Sequence, residues 1–143
     1  MKFRGTTLAF EQRFDIMRAM QTSVYLPPGW PERVRPPGSQ DWEATAVAFL
    51  LDCCPADFRA YRVLRNHPVV LARFAAQFVE GECRTAQEGL AGIRTSLSEH
   101  VSYEVIEAAA QAWLEQEARL ARTRRAVGLV EEALRGRTFV RRL

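Results

Sequence analysis

From Val69 to Leu97, apolar and small residues recur at alternating spacings of three and four: Val69, Ala72, Ala76, Val79, Cys83, Ala86, Leu90, Ile93 and Leu97. That alternation is a heptad seam, the stripe one helix lays against another. A second seam runs through Ile106, Ala109, Trp113, Gln116, Leu120, Thr123, Val127, Val130 and Leu134. Pro68 suits a first helical turn, where its missing N–H would have no partner anyway. Ser102 offers a capping hydroxyl, Val101 is placed as a staple to Ile106, and Gly136 stands where a left-handed residue closes a helix. The pattern predicts helices over about 68–98 and 102–135, joined by a turn so short that they must run antiparallel. Gly81, Gly89 and Gly92 interrupt the first seam and predict a bend or a close backbone approach.

Upstream, the pattern changes twice. Thr6 or Thr7 can cap an amphipathic helix of about 7–22, whose stripe is Phe10, Phe14 and Met17, widened by Ile16 and Met20. Residues 25–38 then hold five of the seven prolines, which remove N–H donors and forbid a helix or a central strand. This stretch is expected to be extended and partly polyproline II, strapped over the core by Trp30 and Val34. Read instead as a docking motif, it would need an aromatic-lined receiver. Ser39 or Asp41 caps a helix over about 40–54, stopped by Pro55. Trp42, Ala46, Val47, Phe49, Leu50 and Leu51 leave it almost no polar face, the mark of a core helix. A short helix over about 56–64 and a basic tail, 136–143, complete an all-α single domain: a long helical hairpin, a buried core helix, an N-terminal amphipathic helix and a proline-rich strap.

A hairpin of thirty-odd residues per arm is ~45–50 Å long, beyond the ~30 Å width of a small domain. Its distal part, residues 83–117, is therefore expected to project or to meet another chain. If the seam there is exposed, Cys83, Leu90, Ile93, Leu97, Ile106 and Trp113 form an interface, with a homodimer as the economical assembly. If not, the two seams close on each other.

Composition adds a little. The chain has 143 residues, 48% hydrophobic and 26% charged, which excludes disordered and low-complexity classes. No apolar run approaches the length of a membrane span, and Lys2 and Arg4 precede too short an apolar run for a secretory leader. Three cysteines without regular spacing argue for free thiols and a cytoplasmic setting. All basic residues but Lys2 are arginine, a preference that fits a GC-rich bacterial genome as well as an anion-binding surface.

Charge placement says more than the net +3. Residues 119–142 hold eight arginines against Glu131 and Glu132, whereas residues 80–117 hold eight glutamates against Arg84 and Arg94. The fold should thus have an acidic arm tip and a basic base. Arg119, Arg122, Arg124, Arg125, Arg137, Arg141 and Arg142 are candidates for phosphate or nucleic-acid contact. The same charges also fit Glu115–Arg119 and Glu131–Arg135 helix pairs, without any partner. No helix-turn-helix or zinc-finger signature accompanies them.

Catalytic chemistry finds no foothold. His67 precedes a helix-starting proline, and His100 lies in the hairpin turn beside Glu99. Cys53 and Cys54 sit on an apolar helix, where thiols are ordinarily inert. Glu104 and Glu107 form an E-x-x-E without the histidines of a carboxylate metal site, and no glycine-rich phosphate loop or metal spacing is present. No catalytic residue, cofactor or metal is expected. The expectation is a non-enzymatic interaction or adaptor module, self-associating or binding a partner through the hairpin. The alternative is a nucleic-acid-binding accessory protein; a small-molecule pocket around Trp30, Trp42, Phe49 and Trp113 is a third reading.

Overall fold

The two seams do form a hairpin. The structure, a computed structural model, describes residues 12–13 and 24–143, and every regular element among them is helical. Helix α1 spans Trp42–Asp52, a 3₁₀ helix Ala56–Ala60, α2 Arg62–Asn66, α3 Pro68–Leu97 and α4 Tyr103–Leu134. The expected helix over 7–22 lies outside the described residues, except for Gln12 and Arg13, which are helical.

The long helices start and stop where local chemistry requires. Pro68 occupies the first turn of α3. The Ser102 hydroxyl accepts from the Val105 N–H at 3.4 Å at the start of α4. Gly136 adopts a φ of 93°, and the N–H groups of Gly136 and Arg137 reach back to the carbonyls of Ala133 and Glu132. That double closure satisfies two of the otherwise orphaned carbonyls at the end of α4. Across the hairpin, Arg94 meets Glu107, Arg124 meets Glu80 and Arg73 meets Glu131, which fixes an antiparallel pairing from tip to base.

All nine positions of the α4 seam are buried or half-buried. The α3 seam is buried or half-buried from Ala72 onward, but Val69 is 38% exposed. Leu71 and Ala75, outside the heptad, are fully buried instead. At this base α3 packs on α1 and α2 as well as on α4, so its apolar stripe must be wider than a two-helix seam.

Helix α1 contributes Ala46, Phe49, Leu50 and Leu51 to that core, while Glu43, Ala44, Ala48 and Asp52 face solvent. Its apolar outer positions are mainly alanines, whose exposure costs little. The cap expected here is absent. Asp41 holds a φ of 65° and makes no side-chain cap bond, whereas the Ser39 hydroxyl donates back to the Pro36 carbonyl at 2.6 Å. Asp tolerates the left-handed region better than most residues. The single short helix expected over 56–64 is divided at Tyr61, whose extended backbone separates the 3₁₀ turn from α2.

The proline-rich segment is a strap, but it is not extended. Backbone bonds from Trp30 to Pro27, Val34 to Pro31 and Ser39 to Pro36 make three successive turns. Gly29 and Gly38 take φ of 97° and 84° at the third positions of Pro-Pro-Gly-Trp and Pro-Pro-Gly-Ser, the pattern of a turn with proline second and glycine third. Val34 is buried in the core, and the Trp30 indole N–H donates to its carbonyl at 2.9 Å. Beyond Gly136 the tail returns over the strap, with Phe139 edge-on to Trp30 at 5.9 Å.

Candidate functional site

The candidate interface residues of the arm lie in the hairpin's own seam. Cys83 and Ile106 are only 6% and 5% exposed, and Leu90, Ile93, Leu97 and Trp113 are half-buried. Trp113 lies over Gly89 of α3 so closely that a Cβ on that glycine would stand 2.5 Å from the indole. Arg94 clamps Glu107 through two bonds of 2.9 and 3.1 Å, pinning the seam near the turn. These guanidinium donors hold the Glu107 carboxyl below its usual range. Cys83, Ile106 and Trp113 are thus engaged within the hairpin, while Leu90, Ile93 and Leu97 stay partly exposed.

A different apolar surface lies at the base. Val70, Phe74 and Phe78 recur every four residues on α3 beside the seam, the first two exposed and Phe78 half-buried. The 3₁₀ helix brings Phe58 edge-on to Phe74 at 6.1 Å and to Phe78 at 6.3 Å, with Tyr61 edge-on to Phe58 at 6.1 Å. Phe74 is 46% exposed and Tyr61 52%, a high value for rings already in aromatic contact. Phe58, Phe74 and Phe78, with Arg73 and Gln77, line an open groove of about 360 Å³. Residues 56–78 carry Arg59, Arg62, Arg65 and Arg73 against Asp57, with Arg59 paired to Asp52 and Arg73 to Glu131 from outside that stretch. The i, i+4, i+8 spacing of Val70, Phe74 and Phe78 was the sequence signal for this groove; Phe58 joins it only through the fold.

The candidate arginines divide into two sets. Arg119 donates to Gln116 at 2.7 Å rather than pairing with Glu115, and Arg124 sits 3.5 Å from Glu80. Arg122 lies on a shallow groove with Gly29 and Phe49. Glu131 pairs with Arg135 at 3.7 Å as expected, and also with Arg73 at 3.3 Å. By contrast Arg125, Arg137, Arg141 and Arg142 converge on one cleft of about 750 Å³ between strap and tail, with Tyr25, Pro28, Phe139 and Glu132. The Arg125 side chain crosses Gly29 and its Nε donates to the Pro28 carbonyl at 2.8 Å, so it also latches the strap.

The aromatic residues proposed for a pocket do not share one. Trp42 lines a cleft of about 690 Å³ against the tail with Val24, Pro37 and Phe139, and this cleft shares Arg137 and Arg141 with the arginine-lined one. Trp30 packs on Phe139, Phe49 lies under the Arg33 guanidinium, and Trp113 is on the arm.

Among the described residues no cluster of histidine, cysteine or carboxylate side chains is arranged to hold a metal ion. Nor is any helix among them long and apolar enough to cross a membrane. Cys53, Cys54 and Cys83 are free thiols, and burial pushes each thiol up, Cys53 to about 11. A thiol held protonated is a poor nucleophile. Asp52, beside Cys53, is occupied by Arg59 at 2.6 Å and Arg33 at 2.9 Å, whose bonds lower its pKa. His67 and His100 are both exposed. Comparison with known proteins found no family model, no curated protein and no solved structure that matches this chain.

Proposed function

We propose that the chain is a non-enzymatic interaction module that binds a protein partner through the aromatic groove at the base of its hairpin. One observation carries this reading: four aromatic rings, Phe58, Tyr61, Phe74 and Phe78, cluster on the surface with Phe74 and Tyr61 about half exposed. Contiguous apolar surface of this kind costs solubility unless something covers it. The groove runs along a helix, so it suits a helix laid beside α3 with its apolar residues between the rings. Arg62 and Arg65 on the neighbouring α2, exposed and outside any ion pair among the described residues, favour an acidic flank on that partner, since Arg59 and Arg73 are already paired with Asp52 and Glu131. Homodimerisation through the arm has less support, because Cys83, Ile106 and Trp113 are used within the hairpin.

The test compares the wild-type chain with Phe74→Glu and Phe78→Glu variants. A protein retained by the wild type should be lost by both variants, and once purified it should titrate the wild type at micromolar concentration. A partner retained equally by the variants, or none that titrates, refutes the groove. Sedimentation velocity separates the remaining occupant: a dimer abolished by Phe74→Glu makes the partner a second copy.

A further inference from the structure

We propose that the cleft between strap and tail is a binding site for phosphate-bearing anions, a site separate from the aromatic groove and independent of it. Four arginines line it, Arg125, Arg137, Arg141 and Arg142, against one carboxylate, Glu132. Glu132 is taken by Arg137 at 2.8 Å, which leaves three cations without a carboxylate among the described residues. So strong a local excess of one sign in a concave site concentrates anions.

Three of the four guanidinium groups are also held by the protein. The Arg141 Cζ sits 5.7 Å from the centre of the Tyr25 ring, and the Arg137 Cζ sits 5.8 Å from that of Phe139. The Arg125 Nε is fixed on the Pro28 carbonyl, so its terminal nitrogens remain for a ligand. A guanidinium held over a ring keeps its planar N–H edge available, the fork that matches two oxygens of a phosphate. Holding the side chains in place before binding lowers the ordering cost that flexible surface arginines incur. The apolar walls, Pro27, Leu129 and Phe139, strengthen the attraction by displacing water from one side of the cleft.

Cleft geometry also explains which arginines belong. Arg119, Arg122 and Arg124 are spread along α4 outside it and do not line it. A ligand therefore reads the strap–tail crossing, not the whole basic helix. The recognised group is a phosphate with at least two free oxygens, offered by a small diphosphate or by a nucleic-acid backbone, and the experiment separates these sources.

The full-length chain is titrated at low salt with inorganic pyrophosphate and, in a second arm, with a short single-stranded DNA oligonucleotide. Arg141→Gln and Arg142→Gln lie in the tail, outside every helix, and circular dichroism checks that helicity is kept. Each is expected to weaken binding about tenfold, in keeping with loss of a charge-assisted contact. Arg119→Gln should bind as the wild type does. Pyrophosphate binding without oligonucleotide binding assigns a small ligand. Tighter binding of the oligonucleotide, falling steeply with salt, assigns backbone phosphates. Either result upholds the cleft when the tail variants weaken it. The proposal is overturned if neither probe binds, if the tail variants bind as well as the wild type, or if Arg119→Gln weakens binding as much as they do.

Discussion

Replacing Gly89 with alanine should destabilise the protein, although alanine is the better helix former. Three glycines interrupt α3, and they are not equivalent. A Cβ at Gly81 or Gly92 would meet nothing within 4 Å, whereas one at Gly89 would stand 2.5 Å from Cε2 and Cζ2 of Trp113 and 3.0 Å from Cδ2. Carbon atoms rest about 3.5–4.0 Å apart, so the indole or the helix must retreat by about 1 Å. The atoms struck belong to the rigid ring, not to a flexible chain end. Alanine recovers up to ~1 kcal/mol of helix propensity at any of the three positions. Overpacking a close contact costs ~1–3 kcal/mol. Gly92→Ala should therefore gain up to ~1 kcal/mol, and Gly89→Ala should fall ~1–3 kcal/mol below it.

Urea unfolding followed by far-ultraviolet circular dichroism reads that difference directly, as a midpoint shift at constant slope. A thermal scan should separate the two variants by about 3 °C for each kcal/mol. A third chain isolates the cause. In a Trp113→Leu background the struck ring atoms are gone, so Gly89→Ala should regain the sign seen at Gly92, and the cycle should show coupling of at least ~1 kcal/mol. If Gly89→Ala is as stabilising as Gly92→Ala in the wild-type background, the two helices do not approach closely there and the register of the arm is wrong.

Four further outcomes follow from individual contacts. Leu64, fully buried on the five-residue helix α2, should cost ~2–5 kcal/mol when cut to alanine, measured by urea midpoint. Arg125→Met removes the bond to the Pro28 carbonyl, worth about 1 kcal/mol; hydrogen exchange should rise over 27–39 and stay unchanged in α3, and equal exchange there would deny the latch. Asp52 and Glu107 have lowered folded pKa values, so their stabilisation is present above the unfolded values near ~4 and is lost as pH falls through the folded ones. Melting temperature should thus drop on the acid side of about pH 4, less steeply in Asp52→Asn, and an unchanged slope in that variant contradicts the assignment. Cys53, with its thiol pushed up to about 11, should be only about 0.1% thiolate at pH 8, so iodoacetamide labelling followed by mass spectrometry should be far slower than for a free cysteine thiol.

The hairpin was legible because its signals are local. Pro68, Ser102 and Gly136 act within one helical turn of themselves, and a seam of nine residues states its own phase. The strap's turns were not foreseen, because proline richness alone suggests an extended chain, although Pro-Pro-Gly occurs twice and marks two of the three. What the pattern could not show is which side of a helix receives a third element. Val69 fits the heptad and is exposed, while Leu71 and Ala75 break it and are buried, because α1 and α2 settle on that flank of α3.

The same limit hid both candidate sites. Val70, Phe74 and Phe78 are as regular as the seam beside them, and periodicity alone assigns them to core as readily as to surface. Their exposure depends on Phe58, which the 3₁₀ turn brings to their edge and no further. The charge split likewise pointed to the C-terminal arginines as a group, yet charge along a helix says nothing of convergence. Convergence arises because Gly136 reverses the chain at the end of α4 and returns Arg137, Arg141 and Arg142 to the strap that Arg125 already holds. A glycine at that position thus sets more than a helix end: it decides whether the tail's arginines meet a fourth one or disperse in solvent. Gly136→Val, which disfavours the left-handed turn, should for that reason abolish pyrophosphate binding while leaving the aromatic groove and most helicity intact, and retained pyrophosphate binding in that variant would separate the site from the turn.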